Sequence, residues 1–303
     1  MDRGDILFEV ICPPITWSQA KKEDFIRKIC KIMISRSLKY LNLPHIVDEN
    51  REGHRVYNFS PKQENYIFAK EITEYCKVNF NYNIEPIINI VVPIMDRKKF
   101  FEHFGKVYDL GYKNFIFVGK DRSDIEYPGY EVTEACFQIK NRYPDVKIGG
   151  IVIFHRENEI KRMLKKIESG MDFFVSQIIY DTFDLKMFVD NLKELELFIY
   201  VSIAPLSSKR DVEFVKWLGV NLKKVRFDQE DIQNQSLGYI RNVISDVLQI
   251  NLSRDSKVFL GFNVEHITYN NLEISDKVIG LVSLSIENLR LLKRKPLFRF
   301  SGI

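Results

Sequence analysis

The chain is poor in cysteine and uses it sparsely: Cys12, Cys30, Cys76 and Cys136 stand far apart, with no Cys-x-x-Cys pair. A zinc knuckle and a dithiol redox motif are thereby excluded, and reduced, mostly buried thiols are expected. No apolar run approaches the roughly 20 residues of a membrane span, and the opening Met1-Asp2-Arg3-Gly4-Asp5 lacks the basic and apolar stretch of a signal peptide. A cytoplasmic location is the expectation. There is no Pro/Gly/Ser-rich linker, low-complexity stretch or repeat of fixed period. Gly-x-Gly-x-x-Gly, Gly-x-Ser-x-Gly and the phosphate-loop motif are all missing, which excludes a Rossmann site, a hydrolase elbow and a nucleotide P-loop. His45, His54, His103, His155 and His266 are never paired at metal-ligand spacing. Even if His45, His155 and His266 meet at one mouth, no metal is expected there.

Charge of one sign is not concentrated either. The 45 basic and 41 acidic residues give a formal net charge of +4 and are scattered along the chain. Nucleic-acid binding usually needs a basic stripe, so it is not expected. The strongest basic cluster, Lys293-Arg294-Lys295, reads as a solvated helix end.

What the chain has is apolar surface, with 45% hydrophobic and 13% aromatic residues, enough for a sizeable core. At 303 residues, length alone does not decide between one domain and two. Short runs rich in Ile, Val and Phe recur at residues 6–11, 39–44, 87–92, 114–118, 147–153, 173–177, 198–203 and 258–264. Continuous runs of this kind are what strands buried on both faces of a parallel sheet look like. Helical segments separate them. In one, Glu159, Ile160, Met163, Leu164 and Ile167 are read as the covering face, with Lys161, Lys165 and Lys166 opposite. Strand and helix in alternation predict an α/β fold, an eight-stranded (β/α)8 TIM barrel spanning 1–303 as one domain. An extra helix is expected around 229–250, beyond one near 208–218. The polar loop from His45 to Lys62 is expected on the C-terminal face.

A barrel gathers its strand ends around one mouth, so polar residues at those ends are the candidates for chemistry. Glu9, Asp121, His155, Gln177, Ser202 and Glu265 occupy them. The segment Phe8-Glu9-Val10-Ile11-Cys12-Pro13-Pro14 resembles the opening strand of methylenetetrahydrofolate reductases. The run from Lys166 to Gln177, followed by Tyr180-Asp181, is similar to that family's Lys-x-x-x-Gly-Ala-x-x-x-x-Thr-Gln segment, and Ser202-Ile203-Ala204-Pro205 sits where the family has Gly-Ile-x-Pro. The likeness is thin over the whole chain and densest over 147–220, nearest the short divergent branch found in mycobacteria.

The resemblance implies reduction of a 5,10-methylene-pterin, folate or a modified pterin, to the 5-methyl form with NAD(P)H. It implies Glu9 as the acid, Asp121 as an electrostatic stabiliser of a developing cation, and Gln177 on the pterin, with Ser202 and Tyr180 as further substrate contacts. In a closed barrel Glu265 would face Glu9 across one seam, and two like charges raise the proton affinity of at least one. Lys165 and Lys166 resemble the basic pair that touches FAD phosphates, and His155 stands where flavin-binding members carry Ala-x-Tyr. FAD dependence therefore stays open, since the mycobacterial branch is implied to work without flavin. The expected partner is a pterin or folate small molecule, with a homo-oligomer or a partner subunit left open. A barrel that kept the architecture but serves as a binding subunit of a one-carbon enzyme complex is the rival reading.

Overall fold

Each apolar run forms a strand, and the strands close into one parallel barrel in chain order, β1 to β8. They are β1 (Ile6–Val10), β2 (Tyr40–Leu43), β3 (Glu85–Val91), β4 (Asn114–Val118), β5 (Lys147–Val152), β6 (Phe173–Ser176), β7 (Leu197–Ile203) and β8 (Val258–His266). Pairing of β8 with β1 completes the ring. The computed structural model describes residues 6–49, 51, 53–120, 124–253 and 256–294, with side chains to residue 288.

Side chains alternate along a strand, so each strand serves two cores at once. Phe8, Val10, Leu41, Ile88 and Ile90 face the helices, while Leu7, Tyr40, Ile87, Ile116, Phe173, Val175 and Tyr200 fill the lumen. Burial on both faces is what makes the runs continuously apolar. Gly149 is small for a reason: a Cβ there would lie 2.5 Å from the Phe173 ring, which closes the lumen against bare backbone.

The helices are α1 (Gln19–Ser35), α2 (Asn65–Phe80), α3 (Arg97–Asp109), α4 (Val132–Arg142), α5 (Glu159–Glu168), α6 (Phe183–Leu192), α7 (Lys209–Trp217), α8 (Ile232–Leu252) and α9 (Leu272–Arg294). Ser18 and Asp96 cap α1 and α3 by accepting from the Lys21 and Lys99 amides, and Ser208 with Asp211 forms a capping box on α7. The helix expected around 229–250 is α8, which packs along β8 and α9. No helix among the described residues is long and apolar enough to cross a membrane.

Two expectations are corrected here. Cys30 and Cys76 are joined in a disulfide, not reduced. Their Cα atoms are 5.8 Å apart because α1 and α2 pack side by side, a proximity that a sequence separation of 46 conceals. Cys12 and Cys136 are free and buried, as expected. On α5 the expected faces are partly exchanged: Lys166 is 7% exposed and joins Glu159, buried on the covering face as expected, whereas Leu164 is 39% exposed. Glu159, Met163 and Lys166 recur at i, i+4 and i+7 and so share the inner face. The two charged members enter together because each neutralises the other, with Lys166 Nζ 3.6 Å from Glu159 Oε1.

Candidate functional site

Polar residues replace the apolar lumen layer at the C-terminal mouth. Glu9 follows Leu7 inward on β1, Asn42 follows Tyr40 on β2, Asn89 follows Ile87 on β3, and Ser202 follows Tyr200 on β7. Asn263 and Glu265 take the same face of β8, since Phe262 and Val264 between and beside them belong to the outer core.

The closing seam sets Glu9 directly opposite Glu265 in register. Two amides hold the pair. Asn42 Nδ2 donates to Glu9 Oε2 at 2.7 Å and Asn263 Nδ2 donates to the same oxygen at 2.9 Å. Asn263 Nδ2 also lies 2.9 Å from Ser202 Oγ and 3.3 Å from Glu265 Oε1. Loss of solvent pushes the Glu9 carboxyl up to about 7, against the pull of the Asn263 hydrogen bond. Glu265 is raised well above the usual carboxylate range, first by burial and then by the charge of Glu9, with the Ser202 and Asn263 hydrogen bonds opposing. Near neutral pH the pair therefore retains a proton that it can donate.

Glu9, Ser202 and Glu265 thus come together as expected. Asn42, Asn89 and Asn263 went unnoticed in the sequence, although an asparagine inside an apolar strand run is a visible signal. Gln177 sits at the end of β6, where its Nε2 donates to the Leu218 carbonyl at 2.9 Å while its Oε1 is buried with no partner among the described residues. The other expected contacts lie elsewhere. Tyr180 is 1% exposed and donates its hydroxyl to the Ala204 carbonyl at 2.7 Å, bracing the segment after β7. Asp121 and Lys295 lie outside the described residues, as do the side chains of Lys293 and Arg294.

Of the residues expected to hold a flavin, Lys166 is committed to internal bonds and does not fit that group. Lys166 is turned inward, donating to the Ile151 carbonyl and pairing with Glu159, while Lys165 is exposed. His155 lines a cleft of about 480 Å³ between α5 and α6, with Phe154, Lys161, Asp184 and Met187. The three histidines do not converge: His45 stacks on His103, and His266 packs outside the barrel against Phe25 and Tyr269. No group of three or more His, Cys, Asp or Glu among the described residues is arranged to hold a metal ion.

The loop from His45 to Lys62 does occupy the C-terminal rim, and it ties distant parts of that rim together. At the β1 side, the Ile15 amide donates to the Pro61 carbonyl at 3.1 Å and the Gln63 amide to the Pro13 carbonyl at 2.9 Å. At the far side the Tyr57 hydroxyl donates to Asp211 at 2.8 Å, Arg210 to the Val56 carbonyl at 2.9 Å, and Arg51 to the Leu218 carbonyl at 3.0 Å. Arg51 and Gln177 therefore share one acceptor. Arg55 lies 4.9 Å from the Trp217 ring centroid, a cation–π contact that adds to the clasp.

No family model and no curated relative matches the chain. Among solved structures it is similar to an uncharacterised Clostridium thermocellum protein that binds two copies of 5-methyl-5,6,7,8-tetrahydrofolic acid, with a TM-score of 0.74 and 17% identity over 93% of this chain and 96% of that one. It is also similar to dihydropteroate synthase from Anaplasma phagocytophilum with bound 6-hydroxymethylpterin-monophosphate, with a TM-score of 0.51 and 12% identity over 96% of this chain and all, 100%, of that one. The Xanthomonas albilineans dihydropteroate synthase gives a TM-score of 0.50 at 11% identity over 97% and 94% of the two chains. The likeness is one of fold.

Proposed function

We propose that the barrel binds a pterin at its mouth and reduces a 5,10-methylene-pterin, folate or a modified pterin, to the 5-methyl form with NAD(P)H. One observation carries the proposal: the Glu9–Glu265 register pair, held half-buried by Asn42, Asn263 and Ser202, keeps a carboxyl protonated near neutral pH. Opening the five-membered ring needs a proton at the departing nitrogen, and a neutral carboxyl delivers it. The cation left behind is stabilised by the carboxylate that remains. A dihydronicotinamide supplies hydride to the methylene carbon and leaves oxidised. The buried Gln177 Oε1, unpartnered among the described residues, suits an N–H of the pterin edge. The folate and the pterin phosphate bound by two structurally similar barrels support the ligand class.

The test is NADH or NADPH oxidation by the purified chain, dependent on 5,10-methylenetetrahydrofolate. Glu9→Gln and Glu265→Gln are each expected to lower turnover by about 10²–10⁴-fold, the usual worth of a positioned acid. Near-normal activity in both variants would remove the proposal. A second reading, a barrel retained as the binding subunit of a one-carbon enzyme complex, is favoured by Tyr180 and Lys166, whose polar groups are committed to internal bonds. It would show as tetrahydrofolate binding without turnover and co-purification with a partner chain.

A further inference from the structure

The mouth carries two buried carbonyl acceptors that the acid pair does not use. Asn42 is fully buried and Asn89 is 6% exposed, and neither Oδ1 has a partner among the described residues. Asn42 commits its amide nitrogen to Glu9 and Asn263, so its oxygen is what remains for a ligand. Asn89 follows Ile87 inward, and Ile87 is the register partner of Asn42, which sets both amides on one stretch of wall. Leaving such a carbonyl unpaired carries the desolvation penalty of the group, and a ligand carrying N–H groups relieves it.

The strand order sets β2 and β3 across the barrel from β6 and β7. Gln177, at the end of β6, is therefore on the opposite wall, and the strands of Glu9 and Glu265 lie between the two walls on one side. Direct transfer of hydride between two flat rings requires them face to face, with reacting atoms about 3–3.5 Å apart. Two amide-bearing walls flanking one acid pair offer one wall to each ring.

We infer that the Asn42–Asn89 wall is the seat of the hydride donor, its two carbonyl oxygens accepting from the carboxamide N–H groups of a dihydronicotinamide while the pterin occupies the Gln177 wall. The inference rests on the reductase reading and adds where the second ring lies.

Calorimetric titration of the full chain with NADH and, separately, with 5-methyltetrahydrofolate tests it. Asn89→Leu is close in volume and keeps the backbone carbonyl that accepts from Asn65 Nδ2. It is expected to weaken NADH by about ten-fold or more and to leave tetrahydrofolate within about two-fold, as loss of one buried hydrogen bond dictates. A ligand-side measurement avoids any folding defect: the 3-acetylpyridine analogue of NADH lacks the carboxamide N–H groups and is expected to bind wild type about ten-fold more weakly. Equal affinity for NADH and its analogue, or a tetrahydrofolate defect in Asn89→Leu with NADH unchanged, overturns the inference. Wild type that binds tetrahydrofolate but not NADH also overturns it and leaves pterin binding standing, whereas wild type that binds neither sinks both.

Discussion

Glu9 and Glu265 are direct register partners on β1 and β8, so the seam that closes the barrel is also where two acidic side chains meet. Desolvation lifts Glu9 from 4.5 to about 7, which means the folded chain holds a proton that the unfolded chain releases. This contribution to stability is fully present below pH 4.5 and is lost as pH rises through about 7. The unfolding free energy is expected to fall across that window with a slope of up to about 1.4 kcal/mol per pH unit. Glu9→Gln should flatten the slope, and urea denaturation at several pH values checks it. Identical slopes in the two proteins would contradict the expectation.

The lysines of α5 differ in consequence although they are neighbours in sequence. Lys166→Met leaves Glu159 buried with Arg156 as its remaining cation, and is expected to cost about 3 kcal/mol, the lower end for a broken buried pair. Lys165→Met changes an exposed side chain and should stay within about 0.5 kcal/mol. Chemical denaturation of both variants separates an internal ion pair from a solvated helix face.

Two glycines should respond in opposite directions to alanine. At Gly149 the added methyl meets the Phe173 ring, and overpacking of the lumen is expected to cost about 1–3 kcal/mol. At Gly238, inside α8, a Cβ meets nothing within 4 Å, so alanine should stabilise by about 0.5–1 kcal/mol. Thermal melts of the two variants decide the matter, and a stabilised Gly149→Ala would disprove the lumen packing.

Tyr57→Phe removes the hydroxyl that fastens the rim loop to Asp211, while Asp211 keeps its bonds from Ser207. A loss of about 1 kcal/mol makes the released loop about five-fold more populated. Limited proteolysis within residues 46–62 should accelerate by about that factor with the global melt little changed, because cleavage follows the open population. An unaltered cleavage rate would show that the loop is held by its other contacts alone.

The barrel was legible because a strand covered on both faces has few polar positions to interrupt it, and the runs at 114–118 and 198–203 match β4 and β7 closely. The run at 87–92 missed the start of β3, where Glu85 and Pro86 open the strand. At the site, Glu9, Ser202 and Glu265 stood out as polar residues at strand ends, but the amides Asn42, Asn89 and Asn263 were passed over, although Asn42 is as near the end of β2 as Ser202 is to that of β7. Lys166 was misjudged because charge was taken to mean exposure, and its partner Glu159 is seven residues away on the same face. The Cys30–Cys76 bond is invisible in the sequence since only the packing of α1 on α2 brings the two together.

Asn263 offers its amide nitrogen to Glu9, Ser202 and Glu265, yet a primary amide has only two hydrogens for those three claimants. One oxygen is always left waiting, and the charged one attracts a donor most strongly. When a proton departs from either carboxyl, the Asn263 amide nitrogen already lies within 3.3 Å of an oxygen of each and favours the newly bare one. The mouth thus accommodates either protonation state with nearly the same geometry, and moving a proton between the two carboxyls requires little reorganisation of the wall.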